Sequence, residues 1–226
     1  MAEQSKWDLD EEANAAILQG ILDGIEEYVE SNHGPELAGR LMHRIQEGRA
    51  KLEQDYADRI VDEQGNFHLT FMSLLVSSYK ALMEALKLDE EKCIELLKKV
   101  FVEKNRESIK GYVEAGLDHA PDPMESMVDI SKSRQKEFFG ETFEVECIAD
   151  NDRAHQIHYK TCFYYAFSQA AGVPELMNVL CEWDWNWAAG IVPEKHGFWF
   201  ERPTTMGYGG DVCRFYFFRR DSSHNR

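Results

Sequence analysis

Residues 162 to 213 gather three cysteines, two aspartates and an arginine, the residue types that nucleophilic chemistry on a small polar substrate would use. Cys181 and Asp184 are three apart on an expected helix, so they occupy neighbouring surface positions. Cys213 falls on an expected strand and shares a face with Phe215 and Phe217. The glycine-rich run Gly207-Tyr208-Gly209-Gly210-Asp211 precedes it, and successive backbone N–H groups in such a turn can cup an anion or an oxyanion. Arg202 and Thr205 come just before. Arg202 is the fixed positive charge that a small carboxylate needs, with a fork geometry suited to bidentate binding. A cysteine attacks as its thiolate, which requires a nearby cation or backbone donors. Cys213 has Arg214 beside it, although strand alternation turns Arg214 to the other face. Cys181 has Asp184, which would raise its pKa.

Each feature also has a purely structural reading. A buried cysteine is a small hydrophobe. Asp184 can cap or pair at a helix surface, Arg202 can pair with any of many acids, and a glycine turn can simply join two strands. Trp183, Trp185, Trp187, Trp199 and Phe200 read as core rather than as a ligand cage. His155, His158 and Cys162, with Cys181 or Cys213, suggest a zinc set, but that spacing is uncommon for zinc. No metal or cofactor is expected. No phosphate loop, dinucleotide fingerprint, serine elbow or H-E-x-x-H is present.

Composition narrows the field. The 226 residues carry 41 acidic against 25 basic side chains, a formal charge of −16. Such a surface repels phosphate backbones and anionic lipid, so neither nucleic acid nor a membrane is an expected partner. A small-molecule substrate is, and the sequence leaves self-association open. The N-terminus is acidic and has no basic region followed by an apolar run, and no apolar run approaches the ~20 residues that span a bilayer. The five cysteines are an odd number and none lies in a C-x-x-C pair. They read as reduced thiols of a cytoplasmic protein.

The positioning elements follow from periodicity. Ile17, Ile21, Ile25 and Tyr28 recur at helical spacing, and a second helix opens at Pro35. The stretch 67–86 is apolar on nearly every side and reads as a buried central helix. Asp89 is the expected N-cap of the next. Residues 124–139 form a weaker last helix. From about residue 140 the pattern changes. Residues 143–147 alternate as a strand, 155–171 read as a helix, and Pro174 opens another with Leu176, Leu180, Trp183 and Trp187 inward. Two strands follow, around 196–202 and 212–220. The expected fold is α+β: a helical half, 1–139, then strand-helix-helix-strand-strand over 140–226, with helices packed on an antiparallel sheet in one compact unit. Residues 1–10 and the tail after Arg220 read as loose.

From Tyr159 onward the chain is similar to the L-2-amino-thiazoline-4-carboxylic acid hydrolase family. The likeness lies in Tyr-Lys-Thr-Cys ending at Cys162, in Gly172, Pro174, Glu175 and Leu176, in Cys181 and Asp184, and in Arg202, Thr205, Gly209, Cys213, Phe215 and Phe217. The helical half resembles the family in residues 68–97 and 127–140. Pro203 and Arg214 depart from its usual threonine and aspartate. The final strand also resembles that of 4-vinyl reductase ligand-binding domains, which implies a small-ligand pocket. The family's reaction adds water to the ring carbon between nitrogen, sulfur and the exocyclic amine, then breaks the carbon–sulfur bond to give N-carbamoyl-L-cysteine. The resemblance implies Cys213, Asp184 and Cys181 as catalytic residues, with Cys213 the nucleophile and Asp184 the general acid/base. Arg202, Thr205, Gly209, Gly210, Cys162 and Trp185 would bind substrate. A small-ligand or metal-binding protein of the same fold, or a biosynthetic lyase or cyclase, is the alternative.

Overall fold

A computed structural model describes residues 11–220. The expectations for residues 1–10 and 221–226 lie outside it. The chain is α+β, with helices first and an antiparallel four-stranded sheet after them. Two long helices, α1 (Glu11–His33) and α2 (Pro35–Asp55), pack as a hairpin joined at Gly34. Gly34 sits at φ 88°, a region open to glycine. Both lie on α3 (Gln64–Leu86). This helix is long and apolar enough to cross a membrane by length and composition, but most of it is buried inside the protein, as befits a core helix.

Asp89 caps α4 (Glu90–Leu97), its carboxylate accepting from the Lys92 backbone N–H at 2.9 Å. A π-helical stretch, Lys98–Glu103, carries α4 on into α5 (Lys104–Asp118). Helix α6 (Pro123–Arg134), capped by Asp122, also ends in a π-helical turn, Gln135–Phe139. That turn brings Phe138 and Phe139 beside His68 of α3.

The sheet holds β1 (Val145–Asp150), β2 (Ala154–Tyr159), β3 (Phe198–Glu201) and β4 (Cys213–Arg219) in the order β1-β2-β4-β3. Here the structure corrects the sequence. Residues 154–159 are a central strand, and only Phe163–Ala170 (α7) is helical. His155, Ile157 and Tyr159 are buried while Gln156 and His158 are less so, an alternation that a buried histidine disguises. Helix α8 (Met177–Trp183) follows, shorter than its apolar pattern suggests, with Leu176 and Leu180 buried as expected and Trp183 only partly so. Pairing of Tyr159 with Cys213 fixes the register of β2 on β4 and puts both on the inner face, under the helices. One hydrophobic core runs from Ile21 of α1 to Cys181 of α8, so the two halves share an interior. A second, smaller core joins Leu117, Met124 and Met127 to Phe198 and Phe217 at the far end of the sheet.

Candidate active site

The inner end of β4, the end of α8 and the connection before β4 border a cavity of about 70 Å³. Cys162, Cys181, Asp184, Arg202, Thr205 and Cys213 all line it. Each element delivers its residue for a local reason. Strand alternation aims Cys213 inward. Helical spacing puts Cys181 and Asp184 on one side of α8 and its terminal turn. Cys162 precedes the first turn of α7.

Arg202 organises the centre. Its Nη1 donates to Asp184 Oδ2 at 2.8 Å and its Nη2 to the Cys181 carbonyl at 2.5 Å. Its guanidinium also lies over the Trp185 and Phe215 rings. The side chain is only 6% exposed, and two of its five N–H donors are already committed. It is therefore a bridge within the protein as much as a receptor for a ligand. Burial pushes the Asp184 carboxyl above its ordinary pKa, and the Arg202 and Arg134 charges hold it partly back. The accessible part of its side chain lies at the cavity wall.

The glycine run behaves differently from the anion cup that the sequence suggests. The N–H groups of Tyr208 and Gly210 donate to the Thr205 carbonyl, and that of Gly209 to the Met206 carbonyl, closing a single 3₁₀ turn over Met206–Tyr208. Those donors are spent inside the turn. The two before them face sulfur instead. The Met206 N–H donates to Cys213 Sγ at 3.3 Å, and that of Gly207 faces Cys181. Gly207 comes so close that a Cβ there would sit 2.6 Å from Cys181 Sγ. Burial still dominates both thiols. Cys213 is pushed up to about 11, with the Met206 N–H opposing, and Cys181 is raised with Thr205 and Arg202 opposing. Cys162 is raised too, chiefly by burial. All three are neutral thiols in the resting protein. Arg214 is on the other face, bound to Asp211 and to Thr204 Oγ1, and does not reach the Cys213 sulfur.

Trp185, Gly209 and Gly210 do not line the cavity. They form a wider, more open pocket of about 340 Å³ with Tyr208, Pro203 and Thr204, separated from the cavity by Arg202 and Thr205, which belong to both. The zinc grouping is not assembled. His155 and His158 point to opposite faces of β2, bonded to Asp150 and to the Tyr216 hydroxyl. Among the described residues no three acidic, histidine or cysteine side chains are grouped to hold a metal ion.

Sequence reasoning missed the helical half's share of the wall, Arg134, Phe138 and Phe139, and the aromatic residues Phe143, Tyr159 and Tyr164 that adjoin it. Arg134 is the second cation of the cavity, and its guanidinium also lies over Phe138. Only its place in the family-like stretch 127–140 hinted at it. Behind the wall, His68 is fully buried and hydrogen-bonded to Tyr164 and to the Phe138 carbonyl. Burial lowers its pKa from 6.5 to about 4. The unfolded chain therefore binds a proton on His68 below pH 6.5 that the folded protein refuses until about pH 4. Stability that is complete above pH 6.5 should fall by about 3 kcal/mol as the pH drops to 4. Denaturant titrations across that range test this. His68→Gln should flatten the profile, and an unchanged profile would show that another group controls it.

No curated protein matches the chain. A family model for L-2-amino-thiazoline-4-carboxylic acid hydrolase matches residues 66–217. Every residue of the cavity wall lies inside that span, as does His68. The match covers most of the chain and includes the helical contributors that the C-terminal motifs alone would not have named, and the protein accordingly belongs to the L-2-amino-thiazoline-4-carboxylic acid hydrolase family.

Proposed function

We propose that the protein hydrolyses a small cyclic amidine carboxylic acid of the amino-thiazoline type, opening the ring with Cys213 as nucleophile. The observation that carries this reading is the convergence of Cys213, Asp184 and Arg202 on one cavity. The wall holds two cations, Arg134 and Arg202, against one carboxyl, Asp184, so it carries an excess positive charge suited to a monoanionic carboxylate. Arg202, beyond the two N–H donors that it spends on Asp184 and the Cys181 carbonyl, is the group that would hold that carboxylate.

Asp184 takes the Cys213 thiol proton as the sulfur adds to the amidine-like ring carbon. The Met206 N–H steadies the developing thiolate. The ring carbon–sulfur bond breaks, and Asp184 returns the proton to the departing sulfur. The product stays on Cys213 as an isothiourea with a free substrate thiol. Water, deprotonated by Asp184, adds to the same carbon. Loss of the Cys213 sulfur, reprotonated by Asp184, leaves N-carbamoyl-L-cysteine, so that one water is consumed per ring opened. Cys181 and Cys162 shape the cavity beside the reacting atoms. The free thiols suit a reducing compartment such as the cytoplasm.

The direct test is to incubate the purified protein with L-2-amino-thiazoline-4-carboxylate and follow thiol release. One thiol and one N-carbamoyl-L-cysteine should form per substrate consumed. Binding without thiol release would favour a ligand-binding role for the same cavity.

A further inference from the structure

We infer that Tyr164, oriented by His68, forms a subsite that can only accept hydrogen bonds and so selects a ligand with an exocyclic N–H over one with a carbonyl at that position. The inference rests on the ring-opening reading and assigns the residue that recognises the exocyclic amine of its substrate.

The argument is a proton inventory. His68 Nε2 lies 2.8 Å from the Phe138 backbone carbonyl. A carbonyl oxygen can only accept, so the ring hydrogen must be on Nε2. The imidazole is fully buried among aromatic rings and holds a single ring proton at neutral pH. Its Nδ1 is then a bare lone pair. That nitrogen lies 2.8 Å from the Tyr164 hydroxyl, which must donate its one proton there. Burial keeps Tyr164 in its phenol form. Its oxygen retains only lone pairs for anything else it meets.

Tyr164 is in the cavity wall, together with Cys162, Arg134 and Asp184. An N–H brought to this oxygen gains a hydrogen bond. A carbonyl oxygen brought there meets a second set of lone pairs, with no proton between them. Tyr164 is thus a specificity residue that touches the ligand. His68 is a positioning residue that acts through it.

The test uses the full-length chain with Cys213→Ser as background, so that binding is read without turnover. L-2-amino-thiazoline-4-carboxylate and L-2-oxothiazolidine-4-carboxylate are each titrated in by calorimetry. The amino ligand should bind at least about tenfold more tightly. Adding Tyr164→Phe should remove most of that preference by weakening the amino ligand. His68→Gln, whose amide can donate to the Phe138 carbonyl and accept from Tyr164, should keep it, and His68→Leu should lose it. Equal affinities before Tyr164 is changed, or a preference that survives Tyr164→Phe, would overturn the inference and leave the ring-opening reading standing. Failure of both ligands to bind would overturn that reading and the inference together.

Discussion

Cys213→Ser should lower kcat for ring opening by at least about 10³-fold and leave the fold intact. Serine is nearly isosteric, and its hydroxyl can still accept from the Met206 N–H that now reaches Cys213 Sγ at 3.3 Å. The loss is chemical. A thiol pushed up to about 11 can give its proton to a neighbouring carboxylate during attack, whereas an alcohol several units less acidic cannot. The same shift has a second readout. Alkylation of Cys213 should be slow at pH 7 and accelerate towards pH 11, because only the thiolate reacts. Cys181→Ser should cost far less, about tenfold, since Cys181 lies against Gly207 and Asp184 repels its thiolate. Thiol-release kinetics on the two variants decide between them. Turnover retained within tenfold in Cys213→Ser would remove the nucleophile and leave an attack by water activated at Asp184. A dead Cys181→Ser beside an active Cys213→Ser would exchange their roles.

Asp184→Asn should have the other large effect, a fall of about 10²–10⁴-fold in kcat without loss of stability. The expectation on stability follows from the direction of its pKa. Burial raises the Asp184 carboxyl above its ordinary value despite two nearby arginines. A carboxylate whose folded pKa is raised costs the folded protein stability at every pH above that pKa, where it must be ionised. Asparagine removes the charge and keeps an oxygen for the Arg202 Nη1–H, which now donates at 2.8 Å. The melting temperature should therefore hold or rise, the usual sign of a group retained for activity at the expense of stability. Thermal unfolding and thiol release on the same preparation provide the check. A sharp fall in Tm with activity retained would make Asp184 a structural partner of Arg202 only.

Much of the frame was legible from local pattern. Strand alternation put Cys213, Phe215 and Phe217 on one face, Asp89 capped its helix, and the apolar run near residue 75 became the core helix. These features depend on neighbours one to four residues apart, which any reader of the chain can count. The strand at 154–159 was not legible, because a central strand takes its alternation from two partners, and here a buried histidine breaks the expected apolar code. The glycine run suggests an anion cup, but which N–H groups face inward depends on the backbone path, and the turn directs the Met206 and Gly207 donors toward sulfur.

The site divides in the same way. By itself, the sequence determined that the reactive residue types, Cys181, Asp184, Arg202 and Cys213 among them, cluster late in the chain, and that this stretch resembles one hydrolase family. Only the tertiary structure decided what they do to one another. It tied Arg202 to Asp184 and to the Cys181 carbonyl, turned Arg214 away, and moved Trp185, Gly209 and Gly210 to an outer pocket. It also brought in Arg134, and His68 behind Tyr164, from helices far upstream. The reason is physical. A charge or a proton is set by groups within a few ångströms in space, and in this fold those groups come from positions as far apart as 18 residues for Arg202 and Asp184 and 96 for His68 and Tyr164, where no sequence period can point.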